Sequence, residues 1–505
     1  MIERHNIPSE WLPLKIGEVT DVVAGGTPKA SQPENFSEPG SEISWLTPAD
    51  LSNYSGKYIA HGARDLSQQG YDSSSAKLMP SGTLLFSSRA PIGYVAIAKN
   101  EISTNQGFKN FVIPEWIDSS YCYYYLRSIR HVAESMGTGT TFKEISGANA
   151  KKLPFILPPL AEQKAIAEKL DTLLAQVEST KARLERIPKT LKRFRQSVLA
   201  AAVSGKLTEE WRSFYQCEVV SENKIKMERE SYFNLHDKKC SDPPRFEEKE
   251  APYDIPLTWG WFRAEEICDL ITKGTTPKKE QMSELEKIPF VKVYNLTFSG
   301  NLDFSIDPTF VSEETHKTFL KRSKAYPGDV LMNIVGPPLG KVSILPNTYP
   351  EWNLNQAISI FRPVCGVTPG YLSLCLRDYL LLEETKSKAK ATAGQFNLTL
   401  EICRDYAIPV PPKQEQIEIV RRVDQLFDYA DTIETQINNA LERVNNLTQS
   451  ILAKAFRGEL TEQWRKDNPD LISGENSADA LLEKIKAERA EAKPVKKAKA
   501  KVRKG

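Results

Sequence analysis

The sequence has little of what several classes of protein require. Its 505 residues contain no run approaching the ~18–20 consecutive apolar residues of a membrane-spanning helix, and the first residues lack the basic-then-apolar order of a signal peptide. The seven cysteines are an odd number without a Cys-x-x-Cys pair, so neither a disulfide framework nor a zinc ribbon is indicated. We therefore expect a cytoplasmic protein with reduced thiols.

Catalytic parts are also scarce. The five histidines are widely scattered, which leaves little from which to build a metal site or a nucleophile–histidine pair. No phosphate-binding loop of the form Gly-x-x-x-x-Gly-Lys-Ser/Thr and no Gly-x-Gly-x-x-Gly after a strand is present, so no candidate exists for binding ATP or a dinucleotide. Asp242-Pro-Pro-Arg245 resembles a methyltransferase motif, but Arg stands where an aromatic residue is required. The sequence predicts a binding protein rather than an enzyme.

The composition is that of an ordinary globular protein. Hydrophobic residues make up 40% and charged residues 26%, which is enough apolar material for real cores. A chain of 505 residues exceeds the usual ~100–200 residues of one domain, so two or more globular units are expected. The net charge of +2 is too small to identify a nucleic-acid-binding protein by itself.

The chain contains an internal repeat. Pro158-Pro-Leu-Ala-Glu-Gln163 aligns with Pro411-Pro-Lys-Gln-Glu-Gln416, 253 positions later, and the same offset aligns Gly205-Lys-Leu-Thr-Glu-Glu-Trp-Arg212 with Gly458-Glu-Leu-Thr-Glu-Gln-Trp-Arg465. Nearly the same spacing relates weaker pairs upstream, among them Gly25-Gly-Thr-Pro-Lys29 with Gly274-Thr-Thr-Pro-Lys278, and Asn105-Gln106 with Asn355-Gln356. The order is therefore globule, helix, globule, helix, and the two globules are expected to share one fold while carrying different surfaces.

Each Pro-Pro motif is followed by a heptad pattern. Apolar residues alternate steps of four and three from Ile166 to Val198 and again from Ile419 to Ile451. Because a lone helix cannot bury such a seam, we expect the two helices to pair as a coiled coil; the alternative is that each seam lies on its own globule. Pro188 predicts a kink in the first helix only.

The globules are predicted to be mixed α/β, in an α+β fold. Short β-rich runs at 82–86, 93–97, 329–332 and 341–344 are bounded by Gly and Pro, while 121–130 and 371–382 are helix-like. The predicted segments are a first globule at 1–157, a first long helix at 158–212, a charged linker at 213–250 that is either a surface linker or a loosely docked excursion, a second globule at 251–410, a second long helix at 411–465, and a basic, disordered tail at 466–505.

The repeated motifs resemble the specificity subunit of type I restriction-modification systems, over nearly the whole chain from Trp11 to about Arg465. The resemblance implies that each globule is a target recognition domain reading one half of a split, asymmetric duplex DNA sequence, and that the two helices pack antiparallel as a spacer. It implies as partners two methyltransferase subunits, which use S-adenosylmethionine, and ATP-driven motor-nuclease subunits. No cofactor is then expected in this chain, and S-adenosylmethionine, ATP and Mg²⁺ belong to the partners.

The resemblance also implies where the partners bind. Two identical methyltransferases need two equivalent surfaces, and the repeated helix motifs supply them, so the predicted docking residues are Pro158, Pro159, Glu162, Gln163, Pro411, Pro412, Glu415 and Gln416. Helix length would then act as a ruler. One extra turn, about 6 Å, in both helices is expected to shift the half-site separation by one or two base pairs.

Loops that follow strands and carry hydrogen-bonding or cationic side chains are the candidates for DNA contact, because base edges need donors and acceptors and phosphates need cations. In the first globule these are Lys29, Thr47, Arg89, Lys109, Thr140, Thr141 and Lys143. In the second they are Lys278, Lys279, Lys292, Asn333, Gln395 and Asn397. Arg89 is the strongest because it directly follows a predicted strand and Arg suits bidentate guanine contact. For each single residue, a merely solvated side chain is an equal alternative.

A basic run lies on the first helix, at Lys181, Arg183, Arg186, Lys189, Lys192, Arg193 and Arg195. Such a run is typical of a solvated face, and contact with spacer phosphates or an acidic partner is the alternative. For the whole chain, the rival to a DNA-recognition subunit is a coiled-coil scaffold whose globules bind proteins or glycans. A third reading, a self-sufficient methyltransferase, lacks its cofactor loop.

Overall fold

The structure, a computed structural model, describes residues 7–139, 143–240, 242–283, 287–336, 338–387, 391–392 and 395–502. It divides into two compact units: unit 1 comprises residues 1–185 and 439–505, and unit 2 comprises residues 186–438. Both boundaries lie inside the long helices. Each unit therefore contains one globule and parts of both helices, which differs from the linear division predicted from the sequence.

The helices and strands follow one another with short connections. The helices are α1 (Ile16–Val19), α2 (Gln68–Asp72), α3 (Ser119–Ser128), α4 (Arg130–Ser135), α5 (Gly147–Ala150), α6 (Leu160–Val203), α7 (Glu209–Phe214), α8 (Glu222–Leu235), α9 (Ala264–Ile267), α10 (Glu313–Lys317), α11 (Pro369–Arg377), α12 (Tyr379–Ser387), α13 (Leu400–Arg404), α14 (Lys413–Phe456), α15 (Glu462–Asp467) and α16 (Ala478–Val502). The strands are β1 (Leu12–Lys15), β2 (Asp21–Ala24), β3 (Phe36–Ser37), β4 (Trp45–Leu46), β5 (Tyr58–Ile59), β6 (Asp65–Leu66), β7 (Leu84–Phe86), β8 (Val95–Ala98), β9 (Ser103–Thr104), β10 (Lys109–Val112), β11 (Pro154–Leu157), β12 (Gly260–Arg263), β13 (Cys268–Lys273), β14 (Met282–Ser283), β15 (Ile288–Val291), β16 (Gly300–Asn301), β17 (Phe310–Val311), β18 (Val330–Asn333), β19 (Val342–Ile344), β20 (Asn353–Leu354), β21 (Ile358–Pro363), β22 (Ala391–Thr392), β23 (Gln395–Phe396) and β24 (Ala407–Val410).

The central sheet of unit 1 has five strands in the order β2–β10–β7–β8–β5. All neighbours are antiparallel except β5 and β8. Strand β7 is buried along its whole length because both faces of the sheet are covered, on one side by α3. A separate antiparallel pair, β1 with β11, joins the two ends of the globule, with Leu12 opposite Leu157. The long helix α6 starts directly after this pair.

Unit 2 repeats the same topology. Its central sheet has the order β13–β21–β18–β19–β16, and again only the last pair, β16 with β19, is parallel. The pair β12 with β24 takes the place of β1 with β11 and leads into α14. Unit 2 differs by a four-stranded sheet, β14–β17–β15–β20, where unit 1 has two-stranded pairs. The predicted α+β fold with an internal duplication is confirmed.

The two long helices contain 44 residues each and pair antiparallel in each unit. In unit 1, seam residues from the start of α6 share one core with residues from the end of α14: Ile166, Leu170 and Leu174 with Leu452, Ala455 and Phe456. In unit 2 the roles are reversed: Val198, Leu199 and Ala202 from the end of α6 pack with Ile419 and Val423 from the start of α14. Helix α6 continues through Pro188, and the predicted kink there stays a prediction.

The charged segment 213–250 is not a simple surface linker. It contains α8, which packs against α9 and buries Ile225 and Phe233 in unit 2. Arg229 takes a third buried position, where its guanidinium donates to the backbone carbonyls of Glu265 (2.8 Å) and Cys268 (3.0 Å). An arginine in a core position interrupts the apolar period, which is why the sequence pattern did not reveal the helix.

The prediction that residues 466–505 are disordered is wrong for the described part of that segment. Two 3₁₀ turns, Pro469–Leu471 and Gly474–Asn476, lead into α16, which packs against α1 and buries Leu481 and Ile485 in the core of unit 1. Helices α8 and α16 occupy corresponding places, since α9 and α1 each follow the first strand of their globule. The internal repeat therefore extends beyond Arg465, where the sequences no longer align.

Candidate nucleic-acid interface

Several loops of unit 1 come together where its strands end. Backbone hydrogen bonds join them in pairs: Gly26 N to Thr104 O (2.8 Å), Asn105 N to Leu46 O (2.8 Å), Ser88 N to Gly107 O (2.7 Å) and Ile145 N to Ser88 O (3.0 Å). Because these bonds involve only the backbone, they set the positions of the loops independently of the side chains. We call this arrangement the loop frame.

Unit 2 contains the same loop frame. The corresponding bonds are Thr275 N to Leu354 O (3.0 Å), Asn355 N to Val291 O (3.0 Å), Ile334 N to Ala357 O (2.9 Å) and Leu398 N to Ile334 O (2.9 Å). The sequence landmarks shared by the globules, Gly-Thr-Pro and Asn-Gln, are therefore parts of this frame. The residues between these landmarks differ between the two units, and their side chains form the exposed surface of the loops.

Glycine is required where two of these loops touch. A Cβ atom on Gly25 would lie 2.1 Å from the carbonyl oxygen of Asn105, and one on Gly274 would lie 2.1 Å from that of Asn355. Any side chain at either position would separate the loops. This contact explains why the motif recurs in both globules.

Exposed polar side chains lie at this contact in both units. The Thr27 hydroxyl bonds to the side-chain oxygen of Gln106, and the Thr276 hydroxyl accepts from the backbone N–H of Gln356 at 3.2 Å. The two glutamines are not among the DNA-binding candidates predicted from the sequence, although each stands in the repeated Asn-Gln pair. That repetition was the available signal.

Unit 1 holds a charged cluster in its frame. The Lys109 ammonium is nearly buried and donates to Ser88 Oγ (3.3 Å), to the Gln106 carbonyl (3.4 Å) and to Glu144 Oε1 (3.1 Å). Arg89 lies 3.7 Å from the other oxygen of Glu144, and its side chain remains 37% exposed. One carboxylate thus faces two cations, which leaves a net positive charge suited to an anion or to an acceptor-rich base edge.

The other candidates of unit 1 have different surroundings. Lys29 and Lys143 are exposed and able to contact phosphates. Thr47 is half-buried and uses its hydroxyl on Asp50 (2.8 Å), where it caps the 3₁₀ turn Pro48–Leu51. Thr140 and Thr141 lie outside the described residues. Lys109 is too enclosed for direct DNA contact, so the structure gives it a supporting role instead of the contact predicted for it.

The candidates of unit 2 also divide into accessible and inaccessible side chains. Lys278, Lys279 and Asn397 are exposed. Asn333 is 1% exposed, and its amide is bonded to Pro338 O (2.9 Å) and Lys341 N (2.8 Å), so the prediction that it contacts DNA is wrong. Gln395 lies in β23, and only its backbone is described.

Lys292 of unit 2 is half-buried and bonded to an acidic side chain. Its ammonium donates to Asp307 at 3.1 Å. Hydrogen bonds from the Tyr294 hydroxyl and from Lys292 hold the pKa of the Asp307 carboxyl below its ordinary value. A Lys292 contact with phosphate would therefore compete with this carboxylate.

The predicted docking residues form a buried cluster in each unit. In unit 1 the Glu162 carboxylate accepts from Trp11 Nε1 (2.7 Å), from the Thr461 hydroxyl (2.6 Å) and from the Arg465 guanidinium. The Gln163 amide caps this site by accepting from the backbone N–H of Asp118 (2.9 Å) and donating to Pro158 O (2.9 Å).

Unit 2 repeats these bonds around Glu415. Its carboxylate accepts from Trp259 Nε1 (2.9 Å), from the Thr208 hydroxyl (2.7 Å) and from Arg212, while Gln416 bonds to Thr368 N and Pro411 O. Glu162, Gln163, Glu415 and Gln416 are at most 1% exposed. Pro158, Pro159 and Pro411 are buried as well, and Pro412 is half-buried. The prediction that these residues dock partner subunits is wrong for the seven buried ones, which instead join parts of this chain.

The basic run on α6 is partly neutralised. In unit 2, Arg195 pairs with Asp431 and Glu434 of α14, the latter at 2.8 Å. Arg186, Lys189, Lys192 and Arg193 are exposed. The exposed members agree with a solvated face, and their contact with DNA or with an acidic partner stays a prediction.

The described part of the chain has neither a metal-binding cluster nor a membrane-spanning helix. No group of three or more His, Cys, Asp or Glu side chains there is arranged to hold a metal ion. No helix there is long and apolar enough to cross a membrane.

Comparison with known proteins decides the family. The family model of the type I restriction modification DNA specificity domain matches this chain twice, at residues 8–189 and 256–443. The chain belongs to the type I restriction-modification specificity subunits. As such a subunit it serves DNA sequence recognition, and the two matches coincide with the two copies of the internal repeat.

Relatives among the specificity subunits match over much or all of the chain. It is 35% identical to the EcoDI specificity subunit of Escherichia coli over 501 residues, covering 96% of both chains. It is 40% identical to the EcoKI specificity subunit of Escherichia coli K12 over 365 residues, covering 72% of this chain and 69% of the relative.

Solved structures share the fold. The HsdS subunit from Thermoanaerobacter tengcongensis superposes with a TM-score of 0.54 at 20% identity, covering 90% of this chain and 98% of that one. A chain from a structure described as the basis of complex assembly and conformational transition of the type I R-M system gives a TM-score of 0.58 at 19% identity, covering 90% and 99%. At these identities the likeness concerns the fold alone.

Proposed function

We propose that this specificity subunit reads a split, asymmetric DNA target, with the loop frame of unit 1 on one half-site and that of unit 2 on the other. The observation that carries this proposal is that both units build the same backbone frame and place different side chains on it. An asymmetric target needs two unlike reading surfaces. A shared frame presents each surface to the duplex in the same way.

The chain would carry no catalysis itself. Two methyltransferase subunits, using S-adenosylmethionine, and motor-nuclease subunits, using ATP and Mg²⁺, would dock on it. Two identical partners need two equivalent docking surfaces, and the repeated ends of the two long helices supply one such surface in each unit. Since the motif residues are buried, the docking contacts would come from exposed positions on the outer faces of α6 and α14, such as Lys164 and Ile417.

Mapping of methylated adenines in DNA treated with the assembled complex tests the proposal. The expected result is two unlike half-sites at a fixed separation. Arg89→Ala should weaken binding by about 1–3 kcal/mol and relax one position of one half-site only. Lys99→Ala is the matched control, because Lys99 is an exposed cation at the opposite end of β8 from the Arg89 loop. Equal effects on both half-sites would contradict the assignment.

A salt series separates this function from a protein- or glycan-binding scaffold. Each phosphate contact releases counterions, so the logarithm of the binding constant for target duplex should fall steeply with the logarithm of salt concentration. Replacing one exposed lysine, such as Lys29 or Lys278, with alanine should reduce the magnitude of that slope by about one. Binding to duplex DNA that hardly depends on salt would contradict the proposal.

A further inference from the structure

Two positions of the loop frame correspond between the units although their side chains differ in kind. Arg89 pairs with Glu144 in an isolated antiparallel bridge, and Val335 pairs with Asn397 in an identical bridge. Each bridge lies next to a backbone hydrogen bond of the loop frame. That bond joins Ser88 and Ile145 in unit 1, and Ile334 and Leu398 in unit 2. Position 89 is therefore equivalent to 335, and 144 to 397.

A third position is fixed by the sheet register. Lys109 lies opposite Ala24, the residue before Gly25, and Ser359 lies opposite Lys273, the residue before Gly274. Lys109 is thus equivalent to Ser359. At three equivalent places, unit 1 carries Arg, Lys and Glu where unit 2 carries Val, Ser and Asn.

Among these three positions of unit 1, Arg89 is the one with free hydrogen-bond donors, while Glu144 keeps acceptor capacity on its second oxygen. A lysine has three donors, and those of Lys109 face three acceptors, Ser88 Oγ, Gln106 O and Glu144 Oε1. Glu144 is held by Lys109 and in turn attracts Arg89 at 3.7 Å. Lys109 and Glu144 therefore act as positioning residues, and the partly exposed guanidinium of Arg89 is the hydrogen-bond donor available to a base.

In unit 2 the same place is uncharged. The Ser359 hydroxyl donates to Thr272 O at 3.1 Å and does not reach outward. Val335 is 39% exposed, and Asn397 beside it is exposed. The groups available to a base are a pair of methyl groups and a side-chain amide.

We propose that these equivalent positions determine one base pair in each half-site: Arg89 selects guanine for unit 1, and Val335 with Asn397 selects an A·T pair for unit 2. This inference rests on the proposed function. Arginine donates to the O6 and N7 acceptors of guanine. An asparagine amide matches N6 and N7 of adenine, and an apolar group contacts the thymine methyl.

The test is selection of bound duplexes from a randomised pool by the full-length chain assembled with its methyltransferase subunits, without S-adenosylmethionine so that methylation does not bias the result. Wild type should enrich guanine at one position of one half-site and A·T at one position of the other. Asn397→Ala and Val335→Ala should each reduce the A·T preference, together by about tenfold or more, and leave the first half-site unchanged.

A transplant gives the sharper test. The combined substitutions Val335→Arg, Ser359→Lys and Asn397→Glu should change the preferred pair at that one position from A·T to G·C. Glu144→Gln should keep guanine as the preferred base of the other half-site while weakening the preference, because the hydrogen bond to Lys109 remains and the charge that holds Arg89 is lost. Lys99→Ala serves as the control.

The outcomes separate the inference from the function beneath it. If wild type enriches no bipartite sequence, the proposed function fails. If wild type enriches two half-sites but the surface variants Val335→Ala and Asn397→Ala, shown by thermal unfolding to be as stable as wild type, alter no position or alter both half-sites, the inference is overturned and the function stands. The single exposed substitutions decide the matter even if the triple variant does not fold.

Discussion

Arg465, in the short helix after α14, forms an ion pair with Glu162 in the first turn of α6, inside unit 1. Arg212 and Glu415 make the same pair inside unit 2. Each long helix is thus fixed at its start by residues that follow the end of the other one. The two clusters explain why the most strongly repeated motifs of the sequence are those at the helix ends.

Replacing Glu162 with alanine should destabilise unit 1 by about 3–5 kcal/mol. The substitution leaves Arg465, whose side chain is 12% exposed, without its carboxylate, and it removes the acceptor of Trp11. Urea denaturation monitored by tryptophan fluorescence measures the loss. Glu168→Ala is the control, because Glu168 is exposed on the same helix and should change stability by less than about 0.5 kcal/mol. Similar losses for both variants would show that the Glu162 cluster does not hold the helix.

Gly458→Ala should cost about 1–3 kcal/mol. Gly458 has a φ of 80°, which an L-residue with a Cβ adopts only under strain, and the added methyl group would lie 2.3 Å from Pro8 Cγ. Gly147→Ala is the matched control, since no heavy atom lies within 4 Å of its added Cβ and the position is helical. That control should be neutral or stabilising by up to about 1 kcal/mol. Equal melting temperatures for the two variants would contradict the conclusion that the backbone at position 458 requires glycine.

Ile485→Ala should lower the stability of unit 1 by about 2–5 kcal/mol, because Ile485 is fully buried in its core. Glu488→Ala, on the exposed face of α16, should be silent. Chemical denaturation measures both. If the two variants have the same stability, α16 does not contribute to the core, and the C-terminal segment behaves as the sequence alone suggested.

The sequence predicts the repeat, the long helices and the strands well because each rests on spacing, which a chain displays directly. It fails where one side chain changes the pattern. Arg229 occupies a core position of α8 and hides the apolar period of that helix. The repetition of the motifs containing Glu162 and Gln416 predicts two equivalent docking surfaces, whereas the repetition reflects bonds to Trp11 and Thr368, which lie distant in sequence.

In the candidate DNA interface, too, the sequence predicts features that depend on spacing and misses those that depend on individual side-chain contacts. The sequence predicts candidate residues in loops that follow strands, but it does not report which contacts each side chain makes within the fold. The Asn333 amide is hydrogen-bonded to the backbone of its own loop. The Lys109 ammonium is hydrogen-bonded to Glu144, which is 35 positions away in the sequence. Arg89 stays available because the carboxylate beside it is shared.

Helix length offers a prediction that depends on the proposed function. Inserting four residues, one turn of about 6 Å, near the middle of both α6 and α14 should change the separation of the two half-sites by one or two base pairs. An insertion in α6 alone is the control, because it breaks the register of the paired seams. An unchanged separation in a methylation-site map of the doubly lengthened protein would contradict this prediction.

The loop frame is built from main-chain hydrogen bonds and two close glycine contacts, so the outward-facing side chains contribute little to holding it. Substitutions at those positions should then be nearly neutral for folding. Under the proposed function, a single amino-acid change on the loops of one unit would therefore alter one half of the DNA target without destabilising the subunit.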